Sequence, residues 1–421
     1  MPAPFVASLP SHPKSADAIR RWAPLSTVFL AVGLSMAMTF PFRALFLTDA
    51  VHAGPVLVTL FLIVAAVTGV LASSWLGRLS DAGPHRSRLI VGAALAGVVG
   101  CGLSAVVRNY WVLLVVTATA VAVSTALQAQ LFAYARVTVG TGERGAFTTN
   151  ALRTLFSASW VAGPFAAAIL IELGGFTLIF SVAAAVYGLA ALVAQLGMPE
   201  PGLVPSTADV PSTAGASSTA GAEPVASGPV EGPHAAGARD VSPGLLWLNV
   251  VGLVLMQTAA VLGVQALPLF VDEELHGSIR DTGLLLGLCA GLEIPLMLVF
   301  GVLAVRIPVR VLFLAGPALA AAYFAVVAVS TGVGQVAAAQ VLNAAGIALI
   351  QGIGITYFQD LLPSRPGRAS TLFSNAFPVG ATLSAPLLGI AQHLGYRTGF
   401  AAAAVLSAAG MALLLTRRTR S

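Results

Sequence analysis

The stretch GLLLGLCAGLEIPLMLVFG, Gly283 to Gly301, decides how this chain is read. It lies within 24 residues between Asp281 and Arg306, of which Glu293, the twelfth, is the only charged one. As a helix the segment measures roughly 36 Å, enough to cross an apolar bilayer core of about 30 Å. Read so, a carboxylate stands at a membrane midplane, where a charge costs roughly 3 kcal/mol even on the mildest insertion scale. Such a group either pairs or carries a proton.

The rest of the chain supports that reading. It is 57% hydrophobic and 9% charged, with a mean hydropathy of +0.91. Soluble domains are about 25% charged. Long apolar runs, in place of short alternating segments, predict helices and exclude a β-barrel. Twelve such runs are expected, at 25–47, 54–77, 88–107, 111–135, 148–171, 175–197, 245–271, 282–305, 309–330, 334–358, 369–392 and 397–416. The fold class is an all-α membrane protein of twelve transmembrane helices in two six-helix halves. Residues 1–24 form a tail, 25–197 the first bundle, 245–416 the second, and 417–421 a C-terminal tail. Between the bundles, 198–244 is rich in Pro, Gly, Ser and Ala and predicts a disordered linker.

Positive residues set the orientation. With both termini cytoplasmic, 16 of the 21 Lys and Arg fall on the cytoplasmic side, and only Arg108, Arg280 and Arg397 fall outside. That asymmetry predicts termini and linker inside. It also accounts for the basic excess without a nucleic-acid partner. The two cysteines, Cys101 and Cys289, each sit in an apolar run, as small core residues do. No disulfide framework or metal site is indicated, no cofactor is expected, and the N-terminus shows no cleavable leader. No nucleophile–base pair marks an enzyme.

The halves resemble each other weakly. An offset of 222 residues pairs Ala44-Leu45 with Ala266-Leu267, Gly69 with Gly291, Gly145 with Gly367 and Pro164 with Pro386. It sets Arg43 against Gln265 and Arg153 against Asn375. A duplicated six-helix unit around a midplane site fits this pattern.

The loop after the second run reads GRLSDAGPHRSR. It resembles the signature between helices 2 and 3 of the major facilitator superfamily, with Gly77, Leu79, Asp81 and Gly83 in place and Arg86 and Arg88 supplying the basic cluster. Gly77 permits close helix approach, and Asp81 can accept charge-assisted hydrogen bonds across a bundle interface. These residues, with Arg86, are gating candidates. The matching loop of the second half, GVLAVRIPVR, lacks the aspartate, so any latch there is weaker.

In the fifth run, Asn150, Arg153, Ser157, Trp160 and Pro164 recur at helical spacing on one face. Its Gly163-Pro164 pair resembles part of a helix 5 motif of drug and proton antiporters. The eleventh run repeats the stripe with Thr371, Asn375, Pro378 and Thr382. Such a face avoids lipid, either lining a site or binding helices together. In the eighth run, Gly283, Gly287 and Gly291 form a small-residue stripe suited to close helix packing. Glu293 lies about 200° round from Gly291, so it points away from that seam, towards a cavity. The other intramembrane polar residues are mostly amides: Gln128, Gln130, Gln257, Gln265, Gln340, Asn343 and Gln351. Amides offer donors and acceptors without net charge, which suits a hydroxyl-rich neutral solute better than a lipophilic cation.

Together, GLEIP (Gly291 to Pro295), YFQDLLPSRPGRASTLFSN (Tyr357 to Asn375), LFAYAR (Leu131 to Arg136) and Arg153 with WVAGP downstream resemble the sugar efflux transporter family of the major facilitator superfamily. The resemblance implies export of sugars such as lactose, glucose and thiogalactosides against proton entry. It implies family-typical positions for Glu293, Arg153, Gln359, Asp360 and Asn375, with Asp360 as a gate or a solvated residue. Arg43, in FPFRALFL, departs from the family pattern and suits either a carboxylate partner or an anionic group.

The expectation is a monomeric secondary transporter of a bacterial inner membrane, exporting a sugar by alternating access as a proton antiporter. Glu293 and Arg153 are the coupling candidates. Arg43, Gln128, Trp160, Gln257, Gln265, Asn343, Gln351 and Asn375 are the solute-binding candidates. A multidrug and proton antiporter of the same fold, or a membrane receptor or scaffold that transports nothing, are the alternatives.

Overall fold

The computed structural model describes residues 15–82, 85–139, 143–200 and 240–416. Most of the expected linker, 201–239, and the tail beyond 416 lie outside them. In lipid, every backbone N–H and C=O must be satisfied within the segment, so the apolar runs form helices. They are α1 (Ser15–Thr39), α2 (Pro55–Ala82), α3 (Arg86–Val106), α4 (110–139), α5 (143–173), α6 (176–197), α7 (Pro243–Glu273), α8 (Ile279–Leu303), α9 (Val309–Val329), α10 (Val333–Leu361), α11 (Pro366–Leu394) and α12 (Tyr396–Leu415). Among the described residues, ten helical stretches are long and apolar enough to cross a membrane. One of these, Thr154–Gly197, spans 44 residues and contains the turn between α5 and α6. Gly175 makes that turn at φ 63°, a backbone conformation that glycine adopts without strain. With α11, which is 29 residues long but more polar, the long helices among the described residues number twelve. The chain is a multi-pass membrane protein.

The helix ends follow from local chemistry. Ser278 and Asp281 form a capping box at the start of α8, and Asn109 caps α4. Glu200 accepts from the backbone N–H of Ser87 (3.1 Å) and Arg88 (3.2 Å), so the described start of the expected linker is tied to the N-terminus of α3. Its described end is tied too. Asp240 accepts from the Ser364 backbone (3.1 Å) and hydroxyl, which hold its carboxyl below the usual carboxylate range.

The first helix is not the continuous 25–47 run that the apolar pattern suggests. It ends at Thr39 and resumes as a short turn, Arg43–Leu45, and a π-helical turn, Phe46–Ala50. Pro41 explains the break, since it lacks an N–H and disfavours helical geometry at Phe40.

Each half has an even number of helices, so both described ends and the linker ends share one face, here the terminal face. At the opposite, far face a single apolar core joins the halves. Phe42, Leu45 and Phe61 of the first half share it with Ala266, Leu285 and Leu388 of the second. Towards the terminal face the described cores are separate. One is built from first-half residues such as Leu76, Leu127 and Tyr187, the other from second-half residues such as Leu253, Phe313 and Phe358. The halves are therefore joined at the far face, while their described cores stay separate towards the terminal face.

Candidate functional site

Two antiparallel seams close the far face, and the pseudo-symmetry relates them. In the first, α8 lies on α5. A methyl group on Gly283 would stand 2.5 Å from Ala168 Cβ and 2.8 Å from the Pro164 carbonyl oxygen, and one on Gly287 3.1 Å from the Val161 carbonyl oxygen. The glycine stripe thus packs against a helix of the other half, as its spacing predicts. In the second seam, Thr59 Oγ1 of α2 donates to the Ala385 carbonyl of α11 (3.4 Å), and a side chain on Gly389 would collide with Thr59. Pro164 and Pro386, paired by the repeat, each sit in one seam.

Below the first seam lies Glu293, half-buried and one turn from Cys289 on the same face of α8. Cys289 Sγ accepts from Asn343 Nδ2 (3.3 Å), the same amide donates to Gln340 Oε1 (3.0 Å), and Gln340 Nε2 reaches Tyr323 OH (3.4 Å). This chain fixes the register of α8 on α10, which Met297 beside Gly352 continues. It places Glu293 between the levels of Asn343 and Gln351. Among the described residues none makes a hydrogen bond or ion pair with Glu293. Gln340, an amide of the same helix, is fully buried and serves to orient Asn343.

The seam register sets Glu293 level with Ser157 of α5, about one turn from Arg153. The side chains of Arg153, Asn150 and Asp81 lie outside those described. About one turn nearer the far face on α5, Trp160 is half-buried and meets Phe40 edge-on, with ring centroids 6.1 Å apart. Arg43 reaches back over the Phe40 ring at 5.9 Å. Behind it stand Cys101 and Tyr187, both buried.

The amide candidates divide. Gln128 and Gln351 are half-buried, and Asn375 is exposed on the terminal-face half of α11. Gln257 and Gln265 are buried in this conformer. Gln257 lies against Gly380 of α11, and Gln265 Oε1 has no described donor. Of the gating candidates, Gly77 and Arg86 flank the loop between α2 and α3 and are half-buried. Asp360 is exposed near the end of α10, beside Gln359, whose Nε2 donates to Ser370 (3.1 Å).

Sequence reasoning did not identify Phe40, Tyr187 or Tyr323 as neighbours of the site. Pro41 was the available signal for Phe40, because a break there turns the Arg43 side chain back along α1. At the far face, Glu274 accepts from the backbone N–H of Tyr396 (2.5 Å) and Arg397 (3.2 Å) and pairs with Arg397 Nε (2.9 Å). Asp49, on the first-half side of that face, is pushed above the usual aspartate range by burial, with the Thr48 hydroxyl opposing and Asp272 of the second half adding to it.

Residues 250–421 match the family described as Major Facilitator Superfamily. The chain is similar to a putative sugar efflux transporter of Deinococcus radiodurans, at 35% identity over 402 residues, covering 94% of this chain and 98% of the relative. It is similar to sugar efflux transporter B of Salmonella typhimurium, at 31% identity, covering 92% and 94%. Among solved structures, the nucleoside transporter NupG superposes with a TM-score of 0.69, covering 94% of this chain and 99% of that one at 11% identity. At that identity the likeness concerns the fold alone.

Proposed function

The chain belongs to the sugar efflux transporter family of the major facilitator superfamily, and from that premise we propose that it exports a sugar or sugar-like solute in exchange for protons. It is a transporter and not an enzyme. The observation that carries the reading is the likeness, along nearly the whole chain, to relatives named for sugar efflux.

The geometry supports alternating access. The far face is closed by small-residue seams, while the terminal-face cores are separate, so solute enters between the halves from the terminal face. Positive residues crowd that face, which supports reading it as the cytoplasmic side of a bacterial inner membrane. Closing the terminal face and opening the two seams then releases solute outwards. In this reading the loop of Gly77, Asp81 and Arg86, with Asp360 opposite, forms the terminal-face gate.

Solute binds between the amide strip of the second half (Asn343, Gln351 and Asn375) and Gln128, Trp160 and Arg43 of the first. Gln257 and Gln265 join when α7 moves against α11. Glu293 takes the proton when the site faces outwards and yields it inwards, with Arg153 one turn away favouring release. One charge crossing 100 mV supplies about 2.3 kcal/mol for this. The protein works as a monomer, each chain holding a complete site.

The test is transport in everted membrane vesicles under an imposed pH gradient, with labelled sugars and lipophilic dyes side by side. The proposal expects gradient-dependent accumulation of a sugar and none of the dyes. Accumulation of dyes alone would assign the chain to drug export instead.

A further inference from the structure

Arg43 carries a positive charge that the described protein leaves uncompensated. Among the described residues no carboxylate forms an ion pair or a Coulombic contact with it. Its electrostatic neighbours are a thiol and a phenol, Cys101 and Tyr187. The guanidinium donates to no described acceptor, and the residue is half-buried. An arginine turned to lipid at this depth is costly. This one instead lies against the Phe40 ring, which touches Trp160 of α5. The indole N–H of Trp160 likewise has no described acceptor, and the residue is half-buried. Here the first half presents two side chains, Arg43 and Trp160, that donate hydrogen bonds and cannot accept them.

The second half presents the complement. Asn343 spends its Nδ2 on Cys289 and Gln340, which leaves its Oδ1 facing outwards from that chain. Glu293, one helical turn along, adds two more acceptor oxygens. A solute that satisfies both sides needs an acceptor-only group at one end and hydroxyl donors at the other. A neutral sugar meets the second requirement and leaves the guanidinium charge without a counter-ion. A carboxylate meets the first, because its two oxygens match the planar guanidinium fork.

We propose that the solute is an anionic sugar, a sugar acid whose carboxylate is held by Arg43 with Trp160 and whose hydroxyls face Glu293 and Asn343. The inference rests on the sugar-exporter reading and narrows its substrate class.

The test is counterflow in proteoliposomes holding the purified full chain, with D-glucuronate and D-glucose as the paired probes. Glucuronate half-saturates at a concentration about tenfold or more below glucose, the weight of one charge-assisted contact. Arg43→Gln, which installs the amide found at the repeat-equivalent position, removes that preference. Arg43→Lys, which keeps the charge and loses the fork, reduces it severalfold and decides the matter if the glutamine variant fails to fold. Equal half-saturation by the two sugars in the unmodified chain overturns the inference and leaves the exporter reading standing. A preference unchanged in both variants also overturns it. If neither sugar moves, the exporter reading falls and takes the inference with it.

Discussion

Gly283 of the second half lies so close to Pro164 of the first that a methyl group on it would stand 2.8 Å from the Pro164 carbonyl oxygen. The contact is between backbones, so no rotamer change can relieve a larger side chain there. Gly283→Leu is expected to hold the α5–α8 seam apart and to lower transport about tenfold or more, the effect of moving the closed population by about 1.4 kcal/mol. Labelling of a cysteine at Leu285, now buried in the shared core, is the direct check. In a chain without the native cysteines, a membrane-impermeant maleimide should reach it from the far face more readily in the Gly283→Leu variant. Equal labelling would mean that the seam does not govern closure.

Tyr357 OH donates to Asn249 Oδ1 (2.7 Å) in the core of the second half, and Asn249 Nδ2 donates to the Leu245 carbonyl (2.7 Å). Tyr357→Phe leaves a buried acceptor without its donor. A loss of about 1–2 kcal/mol in unfolding free energy in detergent is expected. The second half is thereby loosened away from the solute site, so sugar half-saturation should stay nearly constant.

At the far face Asp49 makes the protein's stability depend on pH. Burial raises its pKa, Asp272 across the halves adds to the shift, and Thr48 and His52 oppose it. A carboxyl with a raised folded pKa binds its proton more tightly when folded. Its contribution is fully present below the unfolded aspartate value of about 3.9 and fades as pH rises through the folded value. Thermal stability of the unmodified chain should therefore fall over that rise, and Asp49→Asn should flatten the fall. Parallel curves for the two proteins would remove Asp49 from the account.

Much of this architecture was legible in the sequence, because a bilayer imposes both length and composition on what crosses it. The apolar runs, the break between 171 and 175 and the packing face of Gly283, Gly287 and Gly291 follow from run length and helical periodicity. The bend after Thr39 was encoded in Pro41 but hidden by the apolar residues around it. Relations between distant helices were not legible. Nothing in the spacing of Cys289, Tyr323, Gln340 and Asn343 shows that they form one hydrogen-bonded chain. Nor does it show that Gln257 and Gln265 are closed off in this conformer while Asn375 is open. Those facts depend on how the helices of the second half pack against one another, which no single segment shows.

The account turns on Glu293 as the point where proton and sugar movements are linked. The most direct measurement compares the unmodified chain with Glu293→Gln in proteoliposomes, as the ratio of pH-gradient-driven sugar accumulation to sugar exchange at equilibrium. The glutamine keeps the shape and cannot carry the proton, so the account predicts that driven accumulation disappears and the ratio falls to that of passive equilibration. A variant that still concentrates sugar against its gradient would contradict it.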